Sequence, residues 1–267
     1  FNIKEDNNLE IMKENQSINA INAKILTKLE IEFLNNKTDL VIVQGDTSTT
    51  FSAAMAAFYK KIPIAHIEAG LRTNNLYEPF PEEANRRLIS QITTLHFAPT
   101  NSSKENLLNS GIKSEKIFTT GNTVIDSLLH IANKLDSSKF DKYKNNQIIL
   151  VTVHRRENWG DPLANICEGL KMIIEKHLNV IVVLPMHPNK EVREIIKNKL
   201  SNFSRAKLIE PLPYDELVYL IKKSKLVLTD SGGLQEEAPA LGKPVLVLRA
   251  NTERTEALEA GTTKLVG

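Results

Sequence analysis

Lys225-Leu-Val-Leu-Thr-Asp-Ser-Gly-Gly-Leu-Gln-Glu-Glu237 holds the end of a strand, a turn and the start of a helix. Residues 226–229 are apolar and close on a β-branched threonine. Ser231, Gly232 and Gly233 turn the backbone, and a helical pattern continues through Ala238. A strand feeding a helix through a tight glycine turn is the βα unit of a parallel sheet. Free backbone N–H groups and the positive end of the helix dipole converge at such a turn and suit an anion. Glu236 and Glu237 would repel a phosphate placed on them, but they can accept hydrogen bonds from sugar hydroxyls beside it. Diphosphate next to ribose points to a nucleotide ligand. A plain helix start remains the alternative for the turn taken alone.

The same alternation extends through the chain. Strand-like runs occupy 39–43, 62–67, 94–98, 148–153, 179–184, 207–209, 226–229 and 244–248. Helical patterns lie at 17–35, 48–60, 82–92, 101–110, 122–135, 161–176, 190–200, 214–223 and 234–241. Strands alternating with helices predict α/β architecture with parallel sheets. Ile-Ile-Leu-Val-Thr-Val at 148–153 is continuously apolar, as a strand covered on both faces is. The stretch 136–147 is polar and aperiodic and marks the expected domain boundary. Two doubly wound domains, 1–143 and 144–267, are predicted, with the ligand between them at the carboxyl ends of the strands.

Composition narrows the class. The 267 residues are 41% hydrophobic and 25% charged, and the net charge is +2. These are the proportions of an ordinary globular protein, and near-neutrality argues against a broad nucleic-acid-binding face. The single cysteine, Cys167, excludes an intrachain disulfide framework and fits a reducing compartment. No apolar run approaches ~18 residues, so no membrane span is expected. No secretory signal opens the sequence. Its first residue is Phe1 rather than Met, as expected of a fragment.

The chemistry-bearing residues cluster just after strands. Asp46 follows the run 39–43, Glu68 follows 62–67, and Glu82 with Glu83 opens the helix after Pro81. Asp46 has a structural reading as a helix cap, and Glu82 and Glu83 as dipole partners. Three acids on equivalent loops of one domain can instead serve as general acid or base. In the second domain His154, Arg155 and Arg156 follow the strand at 148–153, and His187 occupies the corresponding loop after the next strand. Arginine forks and a histidine suit a diphosphate. His66 and His96 read as packed near strand ends, His130 and His177 as exposed. No histidine or cysteine pair has zinc-site spacing. Neither a Walker P-loop nor Gly-x-Gly-x-x-Gly occurs, so neither ATP nor a nicotinamide cofactor is indicated. No nucleophile elbow is present, and Cys167 falls mid-helix.

Seven motifs occur together in one order: Gly45-Asp-Thr47, His66-Ile-Glu-Ala-Gly-Leu-Arg-Thr73, Pro81-Glu-Glu-Ala-Asn-Arg86, Gly121-Asn-Thr-Val-Ile-Asp126, His154-Arg-Arg-Glu157, Thr229-Asp-Ser-Gly-Gly-Leu-Gln-Glu-Glu-Ala-Pro239 and Thr252-Glu-Arg254. From about residue 36 to the C-terminus the chain resembles the non-hydrolysing UDP-N-acetylglucosamine 2-epimerases. The resemblance implies a GT-B fold and reversible conversion of UDP-N-acetylglucosamine to UDP-N-acetylmannosamine through 2-acetamidoglucal, with no cofactor and no metal. It implies Asp46, Glu68, Glu82 and His154 as catalytic residues. Ser231, Gly232, Gly233, Glu237, Arg254 and Tyr214 would bind UDP, with Tyr214 at the uracil. Arg155 and His187 would hold a second, activating substrate molecule. A cytoplasmic homodimer in polysaccharide biosynthesis goes with this reading.

The family's opening strand with its Gly-Thr-Arg-Pro-Glu loop has no counterpart before Gly45. The closing C-terminal helical segment has none after Gly267. Alternatives are a hydrolysing UDP-N-acetylglucosamine 2-epimerase, a GT-B glycosyltransferase using the same nucleotide domain, and a non-catalytic UDP-sugar-binding protein. The pairing of His-Ile-Glu-Ala-Gly with Pro-Glu-Glu-Ala-Asn-Arg argues against the transferase. Retention of Asp46, Glu68, Glu82 and His154 argues against the binding protein.

Overall fold

The structure, a computed structural model, describes residues 3–13, 15–73, 75–135 and 146–267, without the side chain of Arg156. These residues form two compact units, 1–122 and 123–267. The unit border therefore precedes the polar stretch at 136–147, most of which lies outside the described residues.

The first unit carries a four-stranded parallel sheet in the order β1 (Val41–Gln44), β2 (Ile64–Ile67), β3 (Leu95–Ala98), β4 (Ile117–Thr119). Its helices are α1 (Ile18–Asn35), α2 (Ser48–Tyr59), α3 (Glu82–Ile92) and α4 (Asn101–Asn109). Three of them start at hydroxyl caps: Ser17, Thr47 and Thr100 each accept from the backbone N–H three residues on. Such a cap contributes about 1 kcal/mol. Val43 and Ile64 pack on Ala54 and Ala57 of α2 and Ile89 of α3. The small residues of α2 let it lie close to the sheet. Gly70 (φ +93°) is required where β2 runs out, because a Cβ there would sit 2.2 Å from the Ser103 carbonyl oxygen of α4.

The second unit begins with α5 (Thr123–Lys134), which packs Leu128 and Ala132 against Val218 of α8 (Tyr214–Lys223). The six-stranded parallel sheet has the order β10-β9-β8-β5-β6-β7. Its strands are β5 (Gln147–Thr152), β6 (Val180–Pro185), β7 (Ala206–Ile209), β8 (Ser224–Thr229), β9 (Val245–Val247) and β10 (Thr263–Leu265). Alternate residues of β5 face opposite cores, as the pleat dictates. Ile149 and Val151 pack with α6 (Asp161–Lys176) and α7 (Lys190–Leu200). Ile148 and Leu150 pack with α8 and α9 (Leu234–Ala240). Helices on both faces explain the unbroken apolar run that the sequence shows there. Each such core side chain contributes about 1.5–3 kcal/mol by burial. Cys167 is buried in α6.

Two short strands, β4 and β10, and helix α10 (Thr255–Glu259) are absent from the sequence reading. Segments of three to five residues complete no period, so only pairing to a neighbouring strand or packing against the unit defines them.

Candidate functional site

In the first unit the site elements lie at the carboxyl ends of adjacent parallel strands. Val43 and His66 are register partners on β1 and β2, and the chain leaves the two strands into Gly45-Asp46 and Glu68 respectively. Gly45 N–H donates to the Ile67 carbonyl at 3.0 Å. A Cβ on Gly45 would lie 3.4 Å from Glu68 Oε2. The two carboxylate-bearing loops are therefore in contact. Glu68 sits at φ +64°, a left-handed conformation that costs a non-glycine residue energy and is concentrated at functional positions. Asn122 Nδ2 donates to Glu68 Oε1 at 3.0 Å and orients the carboxylate.

The start of α3 brings in the third acid. Asn85 Nδ2 donates to the Asp46 backbone carbonyl at 2.9 Å, which fastens α3 to the β1 loop. Glu82 has one carboxylate oxygen buried with no hydrogen-bond partner among the described residues. A buried, unsatisfied carboxylate oxygen is costly unless something binds there. Glu83, one residue on, is fully buried and accepts from Thr73 N–H at 3.0 Å and Arg87 Nε at 2.6 Å. It is internal scaffolding.

Beneath this site His66 and His96 are register partners on β2 and β3 and are both fully buried. His66 Nε2 donates to the Gly45 carbonyl at 2.7 Å, which fixes the turn before Asp46. Burial pushes each ring down to about 4. A histidine held neutral in the fold but protonatable once unfolded supports the fold above its unfolded value near 6.5. That support is lost as pH falls from there toward 4.

In the second unit the strand order reverses between β5 and β8, the point where open α/β sheets bind ligands. His154 follows β5 and Asp230 follows β8. His154 Nδ1 lies 2.9 Å from Asp230 Oδ1. The carboxylate can only accept, so Nδ1 carries the proton and Nε2 is left for a ligand. Asp230 is fully buried and also accepts from the backbone N–H groups of His154 and Arg155, at 3.0 and 2.9 Å, and from Asn158 Nδ2 at 2.9 Å. Burial alone would push its pKa up. The bonds from His154, Arg155 and Asn158 outweigh that and hold it below the usual carboxylate range. The sequence reading places Asp230 inside a motif but gives it no role; its signal is an aspartate between a buried strand and a glycine turn.

Ser231 N–H donates to Thr229 Oγ1 at 2.9 Å, closing the turn that precedes α9. The Arg254 guanidinium lies close over Gly232: a Cβ there would sit 2.7 Å from one of its nitrogens. Arg254 donates to Glu236 Oε1 at 2.5 Å and to Glu253. Tyr214 donates its hydroxyl to Glu237 Oε1 at 2.6 Å. Burial pushes the Glu237 pKa up and the Tyr214 bond opposes the rise. Arg155 Nε is buried with no hydrogen-bond partner among the described residues. His187, after β6, is pushed down by burial and then by the neighbouring His154. His154, Asp230, Arg155, His187 and the Ser231 turn thus gather at one end of the second sheet. Asp46, Glu68 and Glu82 gather in the first unit.

The whole chain, residues 1–267, matches the family model for UDP-N-acetylglucosamine 2-epimerase. The chain belongs to that family. A UDP-N-acetylglucosamine 2-epimerase of Neisseria meningitidis serogroup A is 51% identical over 276 residues, covering 100% of this chain and 74% of the relative. The crystal structure of the N. meningitidis UDP-GlcNAc 2-epimerase bound to UDP-GlcNAc is similar with a TM-score of 0.96 at 50% identity, over 99% of this chain and 74% of that one. That of the Methanocaldococcus jannaschii UDP-GlcNAc 2-epimerase, in complex with UDP-GlcNAc and UDP, matches with a TM-score of 0.89 at 39% identity, over 99% and 74%. The epimerase family's GT-B fold class, two Rossmann-like units with parallel sheets, is the one the sequence predicts. Among the described residues no helix is long and apolar enough to cross a membrane.

Proposed function

We propose that this protein interconverts UDP-N-acetylglucosamine and UDP-N-acetylmannosamine without net hydrolysis. Family membership supports the epimerase reaction. The observation that carries the mechanism is the meeting of the Gly45-Asp46 and Glu68 loops on adjacent strand ends, with Glu82 presenting a buried oxygen that has no partner among the described residues. A carboxylate removes the C2 proton. The C1–C2 double bond forms as the C1–O bond to UDP breaks, giving enzyme-bound 2-acetamidoglucal. UDP then re-adds at C1 while a proton arrives on the opposite face of C2. Donors and acceptors balance, so no oxidant is consumed. His154, held by Asp230, faces the negative charge growing on departing UDP. The Ser231-Gly232-Gly233 turn and Arg254 serve the diphosphate, Glu237 the ribose and Tyr214 the uracil. Arg155 and His187 take a second UDP-N-acetylglucosamine; the buried Arg155 Nε, without a partner among the described residues, supports that role. A cytoplasmic homodimer completes the reading, and light scattering on the eluted protein measures the dimer.

Proton NMR of UDP-N-acetylglucosamine with the protein in deuterium oxide tests this directly. UDP-N-acetylmannosamine should appear with deuterium at C2, in chelator and without added NAD. Free N-acetylmannosamine as the main product would favour the hydrolysing type. Starting from UDP-N-acetylmannosamine alone, a lag relieved by a trace of UDP-N-acetylglucosamine is expected, and His187→Ala should abolish it.

The ribose assignment has its own measurement. Glu237→Ala should weaken UDP binding by about 1.5–3 kcal/mol, the size of a lost charge-assisted hydrogen bond. Chemistry on bound substrate should change far less. Calorimetry returning wild-type UDP affinity would leave Glu237 as a partner of Tyr214 only.

A further inference from the structure

Arg86 is an unusual residue for the interior of a small α/β unit. Its side chain is 4% exposed, and it donates to Asp46 Oδ2 at 2.5 Å. Among the described residues that is its one hydrogen bond: Nε and the other terminal nitrogen are buried without an acceptor. The second nitrogen lies 3.4 Å from Glu83 Oε2, close enough for charge attraction but outside hydrogen-bond geometry. Glu83 in turn is held by Thr73 N–H and Arg87. The order is therefore a chain: the 71–73 loop fixes Glu83, Glu83 attracts Arg86, and Arg86 grips the Asp46 carboxylate. Fastening α3 to the β1 loop does not need this chain, because Asn85 already bonds the Asp46 backbone. Burying a guanidinium costs several kcal/mol unless it is paired, and nearly all of this one's pairing is directed at one carboxylate that is itself 22% exposed.

We propose that Arg86 is a positioning residue, with Glu83 behind it, that sets the direction of the Asp46 carboxylate for proton transfer at C2. The inference rests on the epimerase reading above. Arg86 does not itself touch the reacting atoms. It fixes which Asp46 oxygen is occupied, so that Oδ1 is the one presented to substrate. A side chain held in a single direction supports the short proton-transfer distance that general acid–base catalysis requires.

The test is a double-variant kinetic cycle on the protein, read by C2 deuterium exchange and steady-state epimerisation. Arg86→Gln should lower kcat by roughly thirtyfold or more and leave KM within about threefold, because an interaction felt only in the chemical step has been removed. Arg86→Lys, which keeps the charge but not the fork, should recover part of that loss. In the Asp46→Asn background the further change Arg86→Gln should cost less than about twofold, since residues acting as one unit are not additive. Losses that multiply across the two sites, or wild-type kcat in Arg86→Gln, overturn the inference. If Arg86→Gln does not fold by circular dichroism, the Arg86→Lys cycle carries the same decision. A wild-type protein that shows no C2 exchange removes the epimerase reading and this inference together. Normal exchange in wild type and in the Arg86 variants removes only the positioning role.

Discussion

Asp46→Asn, Glu68→Gln and Glu82→Gln are each expected to cut turnover by roughly a hundredfold or more, the scale of general acid–base catalysis. Fold and UDP binding should survive. Asn at 46 still offers an oxygen to Arg86, and Gln at 68 still offers one to Asn122. The Glu82 oxygen concerned has no partner to lose among the described residues. What each amide lacks is the ability to take and return a proton. Turnover by NMR and UDP affinity by calorimetry separate the two properties. Wild-type turnover in any one variant would take that residue out of the catalytic set.

Asp230→Asn should be more damaging still, with losses in both rate and stability. Both carboxylate oxygens face N–H donors: Oδ1 faces His154 Nδ1 and backbone N–H, and Oδ2 faces the N–H groups of His154, Arg155 and Asn158. An amide must set its NH2 against one of those groups whichever way it turns. The unsatisfied pairing costs about 1–3 kcal/mol of stability, seen as a lowered melting temperature. His154 would also lose the acceptor that keeps its proton on Nδ1. Loss of that tautomer should lower kcat by about a hundredfold or more, by analogy with other histidines oriented by a buried aspartate. Unchanged kcat in a folded Asp230→Asn protein would mean that the His154 tautomer does not matter to the reaction. The wild-type pair also has a pH signature. Asp230 is held below its ordinary range, so the stability it contributes is present above the unfolded value of 3.8 and lost as pH falls through its lower folded value.

Several features of this molecule can be read without coordinates. The apolar run 148–153 and the turn at 229–233 fix strand and helix locally, because hydrophobic periodicity and glycine act over a few residues. The order of the motifs places the chain in its family, and the position of each acid after a strand marks it as a site candidate. Tertiary structure decided the rest. Strand order put His154 beside Asp230, residues 76 apart in sequence, and only a buried carboxylate ringed by N–H donors shows that Asp230 governs the histidine. Only the family resemblance separates Glu82 from Glu83 in the sequence, since both acids open the same helix. In the fold Glu83 is wholly internal and bonded to Thr73 and Arg87, whereas Glu82 keeps an oxygen unpaired among the described residues. Arg86 stands beside Arg87 in the sequence, and only the fold shows that it is buried against Asp46. Helix α5 follows the loop of Asn122, yet its Leu128 and Ala132 find their partners in the second unit. Which apolar face meets which, and which donor reaches which carboxylate, depends on contacts between segments distant in the chain, and local sequence carries no term for them.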